Sequence, residues 1–146
     1  MGAAALTVAL TLFPVSPATS AAVIPADQQA YAHCVSQRES HGNYRAINRD
    51  EQGRKQPSSA RGRWQFIQSD WGHGLPYMVA ERLREFGAGA RAARAVRIEL
   101  QQMTIDRWPA VLQDVAFMAV LNARGKWSGT KHWHLKGSRC NSLAGA

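Results

Sequence analysis

With 146 residues and a mass of 16.0 kDa, the chain has room for one compact domain with a real core plus a short extra segment, and not for two ordinary domains. Five Trp, four Phe and three Tyr need a core to bury them, which argues against a disordered chain, and no second long apolar run exists to make a multispan membrane protein. The net charge of +8 favours acidic partners, and two cysteines are too few for a zinc ribbon or a knottin.

Residues 1–22 carry no charged side chain. Their apolar part, 3–15, is too short to span a bilayer, and small or helix-ending residues from Pro17 to Ala22 follow it. The pattern predicts a secretory signal cleaved after Ala21 or Ala22, although the usual basic start is missing. The mature domain is then 23–146, and it carries all of the charge. Export places Cys34 and Cys140 in an oxidising compartment, where an even pair is expected to bond. The rival readings are two free thiols, or a reactive cysteine beside His33 or His41.

Pro25 and Asp27 predict a helix start, and Tyr31, Cys34, Val35 and Arg38 recur at helical spacing. This helix is expected to end between Glu39 and Gly42. Residues 42–63, rich in Gly, Asn, Arg, Ser and Pro, predict a loop or a weak hairpin. Ser69 is the expected N-cap of a short helix carrying Trp71. Further helices are predicted over 76–86, stopped by Gly87, over 90–104, with Ala93, Val96, Leu100 and Met103 on one side, and from Pro109 through 111–121. The last is apolar nearly all round except Gln113 and Asp114, as befits a central core helix. After Gly125 the chain is basic, aromatic and loop-like. The fold class is therefore mainly α, in one domain after the signal segment.

The chemistry-bearing stretch is Arg38–Glu39–Ser40–His41–Gly42–Asn43–Tyr44. A carboxylate stands where a helix runs out into a Gly/Asn loop. The negative end of the helix dipole and nearby rings both disfavour the charged carboxylate, which suits a general acid. Taken alone, this is also the description of a surface glutamate. Two further segments join it: Gly62–Arg63–Trp64–Gln65–Phe66–Ile67–Gln68–Ser69–Asp70–Trp71, and Leu121–Asn122–Ala123–Arg124–Gly125.

Together these segments resemble the lysozyme-like peptidoglycan-cleaving superfamily. Glu39–Ser40–x–Gly42–Asn43 is similar to the first motif of lytic transglycosylases and resuscitation-promoting factors, with Glu39 in the catalytic position. Gln65–Phe66–x–Gln68–Ser69–x–Trp71 resembles the run after the glycine pair of resuscitation-promoting factors, and Gly62–x–x–Gln65 the transglycosylase second motif. Asn122–Ala123 resembles the third, with Leu121 in place of its Tyr and Arg124 in place of its Gly. The paired cysteines are similar to the disulfide of resuscitation-promoting factors, although Cys34 lies five residues before Glu39 and not directly before it.

The resemblance covers roughly Ala30 to Cys140. It implies a lysozyme-like fold (α+β with minimal β) and a secreted or wall-associated enzyme that cleaves the MurNAc-β-1,4-GlcNAc bond of glycan strands. Ser40, Asn43, Tyr44, Gln65, Trp71 and Asn122 are the expected substrate-binding residues. Asp50 and Glu51 are the candidates for a second carboxylate, which hydrolysis needs and a transglycosylase does not. The rings of Tyr44, Trp64, Trp71 and Trp133 are candidates for sugar stacking or for the core, with the core favoured for Trp64. No cofactor, no metal, no nucleic acid, no stable membrane insertion and a monomer are expected. Nothing indicates a partner peptidase. The rival classes are a metal site at His132-x-His134 with His41 or His73, a nucleic-acid binder, and a non-catalytic cationic wall-binding protein on the same scaffold.

Overall fold

The structure, a computed structural model, describes residues 23–48, 54, 60–124 and 129–144. The expected signal segment and the two loop carboxylates Asp50 and Glu51 lie outside the described residues. Helix α1 (Gln29–Ser40) grows out of a 3-10 turn at Ala26–Gln28, which Pro25 precedes. It stops because His41 turns left-handed (φ 54°) and Gly42 follows with φ 78°. Histidine tolerates this region better than most side chains, and glycine adopts it freely. The reversal lets the His41 and Gly42 N–H groups donate back to the carbonyls of Gln37 and Ser36. Glu39 and Ser40 therefore end the helix, within the bounds expected from the sequence.

A two-stranded antiparallel ribbon follows: β1 (Ala60–Arg61) pairs with β2 (Phe66–Ile67) in the register Ala60↔Ile67 and Arg61↔Phe66. Ile47 adds a single bridge to Arg61. The hairpin thus runs past the expected limit at residue 63, and its turn is residues 62–65. Helix α2 (Gln68–Trp71) starts one residue before the expected cap. Ser69 bonds its neighbour Asp70, whereas Gln68 uses its side-chain oxygen to accept the Ile105 N–H. Helices α3 (Leu75–Glu85) and α4 (Ala90–Gln101) pack on each other, joined by a turn at Gly87 with φ 93°. The expected face of α4 is buried at Ala93, Val96 and Leu100, but the helix ends before Met103, where the chain turns into a 3-10 segment at Ile105–Arg107.

Helix α5 (Ala110–Leu121) is the central helix, and it buries Gln113 and Asp114 along with its apolar residues. The basic tail is not merely loop-like. It holds a short helix α6 (Gly129–His132), the buried Trp133 and a 3-10 segment at Arg139–Leu143. Gly129 sits so close to α5 that an added Cβ would fall 2.1 Å from the Leu121 Cα. The aromatic centre of the core spans all of these parts: Trp64 stacks on Phe117 at 3.9 Å, and Trp133 lies 4.8 Å from Phe117.

Cys34 and Cys140 form a disulfide with Cα atoms 5.6 Å apart, joining α1 to the last 3-10 segment across 106 residues. The free-thiol and reactive-cysteine readings are thereby set aside. The Cys34→Ser/Cys140→Ser protein is expected to lose about 2–5 kcal/mol, since the bond restricts the unfolded chain over a long loop. Urea unfolding of both proteins checks this, and an unchanged midpoint would contradict it. Among the described residues no helix is long and apolar enough to cross a membrane.

Candidate functional site

The turn 62–65 is tethered by hydrogen bonds on several sides. Gly62 takes φ 76°, and its N–H donates to the Ala46 carbonyl at 2.8 Å. A Cβ there would lie 2.4 Å from the Gln113 side-chain oxygen, so only glycine fits. The Arg63 N–H donates to that same Gln113 oxygen at 3.0 Å. The Gln113 amide also donates to the carbonyls of Tyr44 and Trp108 at 3.0 and 3.1 Å. Gln65 has φ 52°, and its side-chain nitrogen donates to the Gly62 carbonyl at 2.9 Å. The Trp133 indole donates to the Trp64 carbonyl at 3.0 Å.

The end of α1 is fastened to this turn. Ser40 donates its hydroxyl to the Arg63 carbonyl at 2.7 Å, across 23 residues of chain. The first two motif stretches thus meet in space, although the sequence separates them. Tyr44 belongs to the same assembly. Its hydroxyl donates to Asp114 at 2.7 Å and accepts from Arg63 Nη1 at 2.6 Å. Asp114 is fully buried and also accepts the Trp64 indole N–H at 3.1 Å. The Arg63 guanidinium lies over the rings of Tyr44 and Trp64, 5.0 and 4.7 Å from their centroids. A carboxylate out of water needs such a set of donors around it.

Glu39 is a partly exposed carboxylate, and its surroundings differ from the expected ring-desolvated acid. Its Oε1 accepts from Arg38 Nε at 2.8 Å and from Nη2 at 2.6 Å. Beneath it, burial pushes the Tyr31 phenol above its ordinary value of 10.0; the Arg38 charge opposes that rise and the Glu39 charge adds to it.

The other expected site residues divide. Asn43 is exposed and accepts the Arg45 N–H on its side-chain oxygen at 2.8 Å, which makes it a turn-forming residue. Trp71 and Trp133 are core rings, packed on Phe66 at 5.6 Å each, and offer no open sugar platform. Asn122 bonds back to the Met118 carbonyl of its own helix at 2.8 Å. It lines a cleft of about 310 Å³ between α3 and the end of α5, beside Tyr77, Glu81 and Glu85. Among the described residues no hydrogen bond links it to the Ser40–Arg63 assembly. The structure thus ties Ser40 and Tyr44 to the turn that bears Gln65, with Glu39 one residue before Ser40 and bonded to Arg38, and with Asn43 at the margin.

No family model, no curated protein and no solved structure matches this chain.

Arg38, Arg63, Gln113 and Asp114 are the participants that motif reading passed over. The signal for the last two was present, because an adjacent amide and carboxylate in an otherwise apolar helix must find buried partners. For the arginines there was none: the bonds that fix them run from Arg38 to Ser138 and from Arg63 to Tyr44 and Asp114, 100, 19 and 51 residues away in the chain.

His132 borders the site through Trp133. Its imidazole lies 5.5, 5.0 and 4.7 Å from the rings of Phe66, Trp71 and Trp133, and this burial pushes its pKa below the ordinary 6.5. Below pH 6.5 the unfolded chain takes up a proton that the folded imidazole resists, so stability is full above that value and falls as the pH drops toward the lowered folded value. Melting temperatures over a pH series are expected to show this loss, and His132→Phe to flatten it. An equal slope in both proteins would assign the loss to other groups.

Proposed function

We propose that the chain cleaves peptidoglycan glycan strands at the β-1,4 bond between N-acetylmuramic acid and N-acetylglucosamine, with Glu39 as general acid and then base. The observation that carries this reading is the 2.7 Å bond from Ser40 to the Arg63 carbonyl, which draws the Glu39 stretch onto the turn bearing Gln65. The motif resemblance supplies the chemistry. Glu39 protonates the leaving oxygen and next takes the proton of the muramoyl C6 hydroxyl, closing a 1,6-anhydro ring. The transglycosylase route is preferred because the buried carboxylates are engaged elsewhere: Asp114 lies in the network under Tyr44, and Asp106 pairs with Arg61 at 3.2 Å. The described surface glutamates Glu81 and Glu85 pair with arginines of α3.

Secretion is part of the proposal. A disulfide suits an oxidising compartment, and the charge of +8 suits an anionic wall. Mass spectrometry of soluble products from purified peptidoglycan tests the reaction. Anhydro-muropeptides that disappear with Glu39→Gln are the expected result. Products with reducing ends would point to hydrolysis, and so to Asp50 and Glu51.

One observation favours a second reading, a non-catalytic cationic wall-binding protein on this scaffold: the Glu39 carboxylate is held by the Arg38 guanidinium. In that case folded wild type and Glu39→Gln both sediment with the wall and neither releases product.

A further inference from the structure

We propose that Arg38 is a positioning residue for Glu39, held in place by the C-terminal stretch 133–140; the proposal rests on the glycan-cleaving reading of Glu39. All three guanidinium nitrogens donate. Nε and Nη2 go to Glu39 Oε1 at 2.8 and 2.6 Å, Nη2 also goes to the Trp133 carbonyl at 2.7 Å, and Nη1 goes to the Ser138 hydroxyl at 3.0 Å. One planar fork thus connects the carboxylate at the end of α1 to two points about a hundred residues further along.

Both anchors are themselves fixed. The Ser138 hydroxyl accepts the Cys140 N–H at 3.2 Å, and Cys140 is bonded to Cys34, one helical turn before Arg38. Trp133 donates to the Trp64 carbonyl in the same turn that receives Ser40. The guanidinium is therefore registered against the Gln65 turn from one side and against α1 from the other. Arg38 also lines a cavity of about 330 Å³ with Cys34, Gln37, Ser138 and Arg139.

The consequence for Glu39 is a choice between its two oxygens. Oε1 is occupied by Arg38, whereas Oε2 makes no hydrogen bond among the described residues. Oε2 is then the oxygen that gives its proton to the glycosidic oxygen as the C–O bond breaks. It regains one from the C6 hydroxyl as the anhydro bond forms, so protons balance without a further group. Lysine carries the charge but not the fork, and cannot reproduce this set of bonds.

Steady-state kinetics on soluble peptidoglycan fragments, with circular-dichroism melts as the fold control, test the proposal in the full disulfide-bonded chain. Arg38→Met and Arg38→Lys are expected to lower kcat about 10–100-fold with KM little changed, because a misplaced acid costs the chemical step and not binding. Ser138→Ala leaves α1 untouched and decides the matter if an Arg38 variant melts below the assay temperature. It is expected to lower kcat about 3–10-fold and to speed solvent exchange of the Arg38 Nε–H, read by nitrogen-15 NMR.

Full kcat in Arg38→Lys would overturn positioning in favour of charge alone. A rise in KM with kcat unchanged would overturn it in favour of substrate binding. Unchanged kcat and Nε–H exchange in Ser138→Ala would remove the C-terminal stretch from the proposal. Wild-type protein that releases no product overturns the underlying reading instead, and the exchange measurement separates that outcome from a failure of the clamp.

Discussion

Glu39→Gln is expected to slow release of soluble glycan by about 10²–10⁴-fold, the range that a positioned general acid/base contributes. The substitution removes the titrating group and little else. Glutamine keeps an oxygen at the Oε1 position to accept from Arg38, and Arg38 keeps its bonds to Trp133 and Ser138. The residue sits in the last turn of α1 and is partly exposed. The melting temperature is therefore expected to stay within a few degrees of wild type. Rate and stability separate the explanations: a slow variant that melts normally identifies chemistry, and a slow variant that melts early identifies damage to the α1 terminus. Release at the wild-type rate by a folded Glu39→Gln protein would falsify the catalytic assignment.

Asp114→Leu is expected to cost about 3–5 kcal/mol of folding stability, since removing one member of a buried charge pair strands the other. The leucine takes away the acceptor of Tyr44 at 2.7 Å and of the Trp64 indole at 3.1 Å, and it removes the counter-charge of Arg63. Arg63 is in no position to rehydrate fully, because its guanidinium is stacked over Tyr44 and Trp64 and its Nε is buried with no hydrogen-bond partner among the described residues. Asp114→Asn keeps the shape and one acceptor oxygen, and is expected to cost less, about 1–3 kcal/mol. Denaturant unfolding of both, with Arg63→Met and the double variant Asp114→Leu/Arg63→Met, completes a cycle. The double variant is expected to be more stable than Asp114→Leu alone, because no stranded charge is left. A leucine variant as stable as wild type would mean that the network orients the loop without holding the fold.

Much of the helical frame was legible one segment at a time. The 3.6-residue recurrence of Ala93, Val96 and Leu100 marked the buried face of α4, and Gly87 marked the end of α3, because both signals act within a few residues of chain. The bounds of α1 were readable for the same reason. The capping of α2 was not: Gln68 serves Ile105, and a bond of that span has no local trace. The tail misled most. Its Lys, Gly and His composition describes a loop, yet Trp133 closes the aromatic core over Phe117 and the Trp64 carbonyl, and burial of one large ring outweighs the local preference of the residues around it.

At the site the division is sharper. Composition and spacing alone marked Glu39 at a helix end, an even pair of cysteines, and one helix apolar enough to be central, and the motif resemblance added Gly62-x-x-Gln65. These follow from backbone geometry and hydrophobic periodicity, which a chain carries along its length. Only the tertiary structure decided that Ser40 closes on Arg63, that Trp71 and Trp133 belong to the core, that Asn122 faces a different cleft, and that Arg38 occupies one oxygen of Glu39. Each depends on residues far apart in sequence (even the neighbours Arg38 and Glu39 meet with the Arg38 fork bonded to Trp133 and Ser138), through helix packing and the need to pair buried polar groups, and neither condition can be evaluated before the chain has closed on itself.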